Sequence, residues 1–341
     1  MDEIVILKDE IQLLLNTANK VSISYPLYPH FEILTAKAEN EVIEFEGGYK
    51  FRLLVDKKDF EKESLKFNQF FNEMPTYNDI FECMLSSNII KYKNEAKFTE
   101  KMKHFRSMKK KTYFCPDTNI IYHRFISNYS NFKQNEIVLI DTVKEEIEAC
   151  LNFKYNHYQI SELKTLIKYQ NNLLDELINK RMKRSRLAAY IALQEYKKVK
   201  ELAFKIEGIE KPTKDKEEND KIIVKSIKRF EKEKDALAIL LTADITMTDV
   251  CEIEDLEYFL FEIPIEANAE FCTSEQFLQL VYNLATVFGV IKLNSTLIFG
   301  EFKGKTKYET LKLKFLDEKV LKEIEKDLRI CRRLMELGIE K

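Results

Sequence analysis

Two acids stand where chemistry would be expected. Asp117 lies in YFCPDTNIIY (113–122), at the end of a short apolar run, and Asp244 ends ALAILLTAD (236–244). Each run reads as a buried strand. In open α/β sheets, binding and catalytic groups gather at the carboxyl ends of strands. Two strands that each deliver a carboxylate to one sheet edge suggest a site for a divalent metal. Carboxylates a few ångströms apart repel and raise one another's pKa, and a hard cation such as Mg²⁺ or Mn²⁺ reverses that.

Further oxygen ligands follow from local pattern. IVLI (137–140) is another apolar run, followed by DTVKEEIEAC (141–150). Thr142 with Glu145 three residues on fits a capping box, which gives Glu145 a structural task. Glu146 lies three residues after Val143 and four before Cys150, so it shares the apolar side of its helix. A carboxylate there needs a cation, which makes Glu146 the better site candidate. A later helix begins near Asn219-Asp220, and Ile223, Ile227 and Phe230 recur on one face. Asp220 lies at the amino end of that face, either as a ligand or as an N-cap, with Glu217, Glu218 and Asp235 as rivals. Asp235 abuts the start of its strand and belongs to the opposite sheet edge. Thr242 can orient a neighbouring carboxylate, and Asp249 is an extra ligand or a helix cap.

The elements that must position these groups alternate strand and helix over 112–265. Strands are expected at 112–116, 137–140, 236–242 and 257–263, and helices at 118–129, 142–153 and 220–233, which is a parallel α/β arrangement. The stretch 154–218 reads as an insertion of two amphipathic helices, 158–180 and 184–207. Residues 1–110 read as a separate α+β module, with an opening helix over 2–20, strands at 21–25, 31–38, 41–46 and 49–56, and a Gly47-Gly48 hairpin turn. Residues 266–341 read as a third, α+β module: a helix near 273–287, two strand-like runs and a charged final helix over 317–338. Leu321, Ile324, Leu328, Cys331 and Leu334 form one apolar face of that helix, for docking on its own domain or for a homo-oligomer contact.

Composition narrows the classes. Hydrophobic residues make up 45% and charged residues 33% of the 341, so a packed core is expected rather than disorder. The six Cys are spread out, with no CxxC, and the four His are too scattered for a zinc site. The acidic opening MDEIVILKDE is unlike a signal peptide, and no apolar run reaches membrane-span length. A cytoplasmic protein with reduced thiols and no membrane association is the expectation. The chain carries no Walker or dinucleotide-binding glycine motif. A D-x-D phosphatase pair is also missing, because Asn119 occupies the second position.

The D-T-N after the first strand, V-x-x-E-I on the next helix, an Asp opening a later helix and T-x-D after the following strand together resemble the PIN-domain nucleases. The resemblance covers about 112–265, under half of the chain, and implies a three-layer α/β/α parallel sheet. It implies a catalytic and metal-binding pocket of Asp117, Glu146, Asp220 and Asp244, with Asn119 and Thr242 as polar supports. It further implies a Mg²⁺- or Mn²⁺-dependent hydrolase, an endoribonuclease acting mostly on single-stranded RNA, with DNA as an alternative substrate. The long insertion and the flanking modules depart from compact members of that family. A fold kept as a non-catalytic RNA- or protein-binding scaffold is the rival expectation.

Net charge is −2, so any attraction for a polyanion must be local. Six Lys or Arg and no acid lie between Lys101 and Thr112, including Lys109, Lys110 and Lys111 beside the first strand. KRMKRSR (180–186) adds five cations, among them Arg181, Lys183, Arg184 and Arg186. Both runs are expected to contact nucleic acid, the second as part of a helical clamp over the substrate.

Overall fold

The computed structural model describes residues 3–29, 31–43, 46–267 and 269–339. Thirteen strands follow in chain order: β1 (Glu3–Leu7), β2 (Lys20–Ser24), β3 (Glu32–Ile43), β4 (Glu46–Leu53), β5 (Thr112–Pro116), β6 (Ile137–Ile140), β7 (Ala203–Ile206), β8 (Leu237–Thr242), β9 (Glu257–Leu260), β10 (Phe271–Thr273), β11 (Val290–Leu293), β12 (Thr296–Phe299) and β13 (Thr310–Phe315). They form two sheets, and the chain divides into two compact units.

The unit that carries the predicted acids comprises Met84–Asn152 and Leu187–Asn268. Its sheet is all parallel, in the order β7-β6-β5-β8-β9. Every residue of β5 and β6 is buried, as apolar runs covered on both faces require. β7 was not anticipated. AFKI is a short edge strand with no fully buried residue, so it carries little apolar signal. The expected helix 118–129 is broken by Arg124, whose φ of 54° ends one helix and starts the next. Helix Glu95–Ser107 buries Phe98, Met102 and Phe105. Phe98 joins an aromatic cluster with Phe114, Phe125, Tyr129, Phe132, Phe259 and Phe261. Asn94 accepts the Glu262 N–H and donates to the Leu260 carbonyl. These contacts tie residues 84–107, assigned by sequence to the N-terminal module, to the parallel sheet.

The other unit comprises Met1–Cys83, Phe153–Arg186 and Ala269–Lys341. Its eight-stranded sheet runs β1-β13-β12-β11-β2-β3-β4-β10 and is antiparallel throughout. The two ends expected as separate modules therefore share one sheet. The segment read as an opening helix contributes edge strand β1, whose alternating Ile4, Val5 and Ile6 pair with Leu313, Lys312 and Leu311. Gly47 and Gly48 lie inside β4 and not in a turn; residues 44–45, before it, fall outside the described residues. Helix Ser274–Phe288 is buried from Phe277 to Phe288. Gly300 follows β12 where no side chain fits, since a Cβ would lie 2.3 Å from the Ala285 carbonyl oxygen.

The expected pair of insertion helices is also revised. Helix His157–Leu166, a short 3₁₀ turn over Asn171–Leu177 and the residues to Arg186 belong to the antiparallel unit. The stretch after Arg186 forms helix and strand in the parallel unit. All six cysteines are free thiols. Among the described residues, no helix is long and apolar enough to cross a membrane.

Candidate functional site

From β5 the chain passes to β6 on one side and reaches β8 on the other. The carboxyl end of β5 is therefore a topological switch point, where such sheets form a crevice. Asp117 follows β5, and its N–H donates to the Leu241 carbonyl of β8 at 2.9 Å. It also caps the helix that follows, accepting the Ile120 N–H at 2.8 Å. Asp244 follows β8 and caps helix Ile245–Ile253 by accepting the Thr246 N–H at 3.0 Å. Neighbouring parallel strands thus deliver both acids to one edge of the sheet.

Thr242 links the two. Its buried hydroxyl donates to Asp117 Oδ2 at 2.5 Å and accepts the Asp244 N–H at 2.9 Å. On the other side of β5, Glu146 projects from helix Asp141–Cys150, and Glu146 Oε2 accepts the Thr118 hydroxyl at 2.6 Å. The capping box expected at Thr142 and Glu145 does not form. Instead Asp141 Oδ1 accepts the Gly208 N–H at 2.6 Å, and the helix starts without a side-chain cap. Helix Lys216–Lys234 starts before Asp220 and is capped by Asp215. Asp220 is therefore no cap; it is a buried acid in the second turn, on the face that buries Ile223, Ile227 and Phe230. That helix packs on β8 and on the helices bearing Glu146 and Asp244.

Electrostatics tie the four acids together. Burial pushes the Asp117 carboxyl up to about 7; bonds from Thr242 and Ile120 pull it down, while Asp244 and Asp220 push it further. Burial raises Asp220 to about 6, with Lys216 opposing and Glu146 and Asp244 adding to the rise. For Asp244, burial is outweighed by hydrogen bonds from Lys216 and Thr246, and its pKa falls. Asp117 thus feels the charges of Asp244 and Asp220, and Asp220 those of Glu146 and Asp244.

Lys216, which the sequence reading missed, lies against this group. Its ammonium donates to Asp244 Oδ2 at 2.5 Å, and that bond, with Asp244, Asp220 and Asp117 nearby, raises its pKa. The signal was available: once the helix starts at 216, Lys216 and Asp220 share a face at i,i+4. Thr118 is the second missed residue. Asn119 is half-buried, and its side chain makes no hydrogen bond among the described residues. Asp249 is exposed, in the second turn of helix Ile245–Ile253.

The basic runs are not where they were expected. Lys109, Lys110 and Lys111 precede β5, a five-residue strand away from Asp117, roughly 16 Å at the rise of an extended chain. Lys110 pairs with Asp235 at 2.7 Å, the acid assigned to the opposite sheet edge, and Lys111 lies over the rings of Tyr113 and Phe204. Lys183 and Arg186 are buried. Lys183 bonds Asp79 and the Met74 carbonyl, and Arg186 donates to the carbonyls of Arg181 and Val287. They serve the interior of their unit instead of contacting a substrate. Arg181 and Arg184 retain surface, over Tyr308 and Phe153 respectively.

The donor set is all carboxylate oxygen, the chemistry that a hard divalent cation takes. Its carboxylates are engaged with Lys216, Thr118 and Thr242. Among the described residues, no three His, Cys, Asp or Glu side chains are grouped so as to hold a metal ion.

Comparison with protein families matches residues 114–259 to the PIN domain. This chain thus carries a PIN domain within a larger protein. A solved structure described as a domain of a functionally unknown protein from Methanocaldococcus jannaschii DSM 2661 is 16% identical, over 46% of this chain and 94% of that one, with a TM-score of 0.27. No curated protein matches. The PIN fold is in general a nuclease fold, and PIN domains typically depend on a divalent metal.

Proposed function

We propose that this protein is a divalent-metal-dependent endoribonuclease that hydrolyses single-stranded RNA at the carboxyl edge of β5. The observation that carries this reading is the Thr242 hydroxyl, which joins Asp117 and Asp244 from adjacent strands while Asp220 and Glu146 add to the same negative field. Asp117, Glu146, Asp220 and Asp244 would hold Mg²⁺ or Mn²⁺, which supplies a Lewis acid for the scissile phosphate and an acidified water. The chain's own task is positioning. Thr242 fixes the rotamer of Asp117, and Thr118 fixes that of Glu146. Lys216 serves as a tethered counter-charge that must release Asp244 before that carboxylate can take a second cation. No His or Cys nucleophile is required.

The dispersal of the acids onto Lys216 and Thr118 is the one observation that favours the second reading, a PIN fold used as a non-catalytic RNA- or protein-binding scaffold. The two readings diverge on metal-dependent cleavage. A labelled single-stranded RNA should be cut internally with Mn²⁺ or Mg²⁺ and remain intact with chelator. Asp117→Asn should abolish cleavage while RNA binding persists. Wild-type protein that binds RNA yet leaves it intact across metals favours the scaffold.

A further inference from the structure

Six lysines and arginines lie where two turns of the antiparallel unit meet. One holds Lys154, Lys180 and Arg181; Lys154 and Arg181 pair as an isolated antiparallel bridge. The other is GEFKGKTKYE (300–309), which joins β12 to β13 and carries Lys303, Lys305 and Lys307. The Arg181 guanidinium lies over the Tyr308 ring, 5.7 Å from its centroid, which brings the two turns together.

The loop's three lysines face two acids, Glu301, which is buried, and Glu309, which is exposed, so the charge there is only partly compensated. Among the described residues, Lys154, Lys180, Lys303 and Lys307 form no ion pair. The Nε donors of Arg181 and Arg186 are buried without a hydrogen-bond partner among those residues. Glu176, which accepts the Lys303 N–H, already takes the ammonium groups of Lys312 and Lys314. Glu301 opposes the cations from the interior, fully buried. Burial pushes Lys305 down to about 7, and Arg181, Arg186 and Lys180 add to that fall against the pull of Glu301. Cations held this close repel, and an arriving anion relieves the repulsion. Lys303, Gly304, Thr306 and Lys307 are exposed, and nothing lies within 4 Å of a Cβ placed on Gly304. The loop is thus open to a large polyanion, and Tyr308 beside Arg181 offers a ring of the kind on which bases stack.

We infer that the 300–309 loop and the 180–181 turn form a binding surface for the backbone of single-stranded RNA, separate from the cleavage site. Only the identity of the polyanion rests on the nuclease reading. Each phosphate neutralised should contribute a slope of about −0.7 in log K against log salt. Replacing two contacting lysines should therefore flatten the slope by about 1.4 and weaken binding by about 25-fold near 0.1 M salt.

The test is fluorescence anisotropy of a labelled oligouridine with chelator present, for wild type, Lys303→Gln/Lys307→Gln and Lys109→Gln/Lys110→Gln. The thermal unfolding of each variant is followed in parallel, together with Mn²⁺-dependent cleavage of a tetranucleotide as the readout of the cleavage site. The expected result is weaker, less salt-dependent RNA binding for the 303/307 variant alone, with unchanged unfolding and tetranucleotide cleavage. Unchanged RNA binding by the 303/307 variant overturns the surface and leaves the cleavage reading standing. Failure of wild type to bind the RNA overturns it as well. Loss of tetranucleotide cleavage with RNA binding retained would bear on the cleavage site alone and count against a separate surface.

Discussion

Asp117→Asn should make the metal-free protein more stable at pH 8 while destroying its activity. The Asp117 carboxyl is nearly inaccessible, and burial pushes it from 3.8 to about 7. An acid raised in this way carries no penalty below its unfolded pKa. The cost of ionising it in the fold grows as pH rises through 4 to 7 and is fully present above that. At about 1.4 kcal/mol per tenfold change, the penalty at pH 8 is roughly 4 kcal/mol. The replacing amide retains an oxygen for the Ile120 N–H but offers Thr242 either its NH₂ group or a second orientation, a loss of about 1 kcal/mol. A net gain of roughly 2–3 kcal/mol is expected at pH 8, shrinking to nothing or to a small loss near pH 4.5. Asp220, raised to about 6, acts in the same direction in wild type. Asp244 is lowered, so its contribution is lost only as pH falls below the ordinary carboxylate range, and Lys216 is raised, so its contribution is lost only at alkaline pH. Urea unfolding in chelator at both pH values, with the midpoint and slope followed for the transition of the parallel unit, measures this. Equal or lower stability of the variant at pH 8 would refute the claim that Asp117 is a strained buried charge awaiting a cation.

Three further outcomes follow from the same geometry. Thr242→Val removes a donor to Asp117 and an acceptor for the Asp244 N–H, and should cost about 1–3 kcal/mol; it should also move the Asp117 carboxyl resonance to a higher titration midpoint by NMR. Lys216→Ala frees Asp244 from an ion pair whose lysine side chain is 68% exposed, so Mn²⁺ should bind no more than about fivefold tighter by electron paramagnetic titration. Gly300→Ala drives a methyl group against the Ala285 carbonyl and should destabilise the antiparallel unit by about 1–3 kcal/mol or more, with no effect on Mn²⁺ affinity.

Much of the parallel sheet was legible because β5, β6 and β8 are apolar runs that end at abrupt polar residues. Asp117 and Asp244 were readable for the same reason, since an acid that ends a buried strand has few other places to be. β7 was not, because an edge strand with AFKI needs no apolar face. β1 was hidden because its partner β13 lies some three hundred residues away, and EIVIL beside an amphipathic stretch fits either element. The burial of Lys183 and Arg186 depends on Asp79 and on the Val287 carbonyl, which no local pattern connects to them. Placing the start of the last site helix near 219 instead of at Lys216 had two effects. It made Asp220 resemble a cap, and it left Lys216 outside the helix face where it meets the acids.

The measurement that tests the central claim most directly is anomalous scattering from crystals soaked in Mn²⁺. The account predicts an ion bridging Asp117 and Asp244, with Asp220 or Glu146 completing the set at oxygen distances near 2.1 Å and the Lys216 ammonium displaced. Saturating Mn²⁺ found elsewhere on the protein, with Asp244 still on Lys216 and Glu146 still on Thr118, would contradict it.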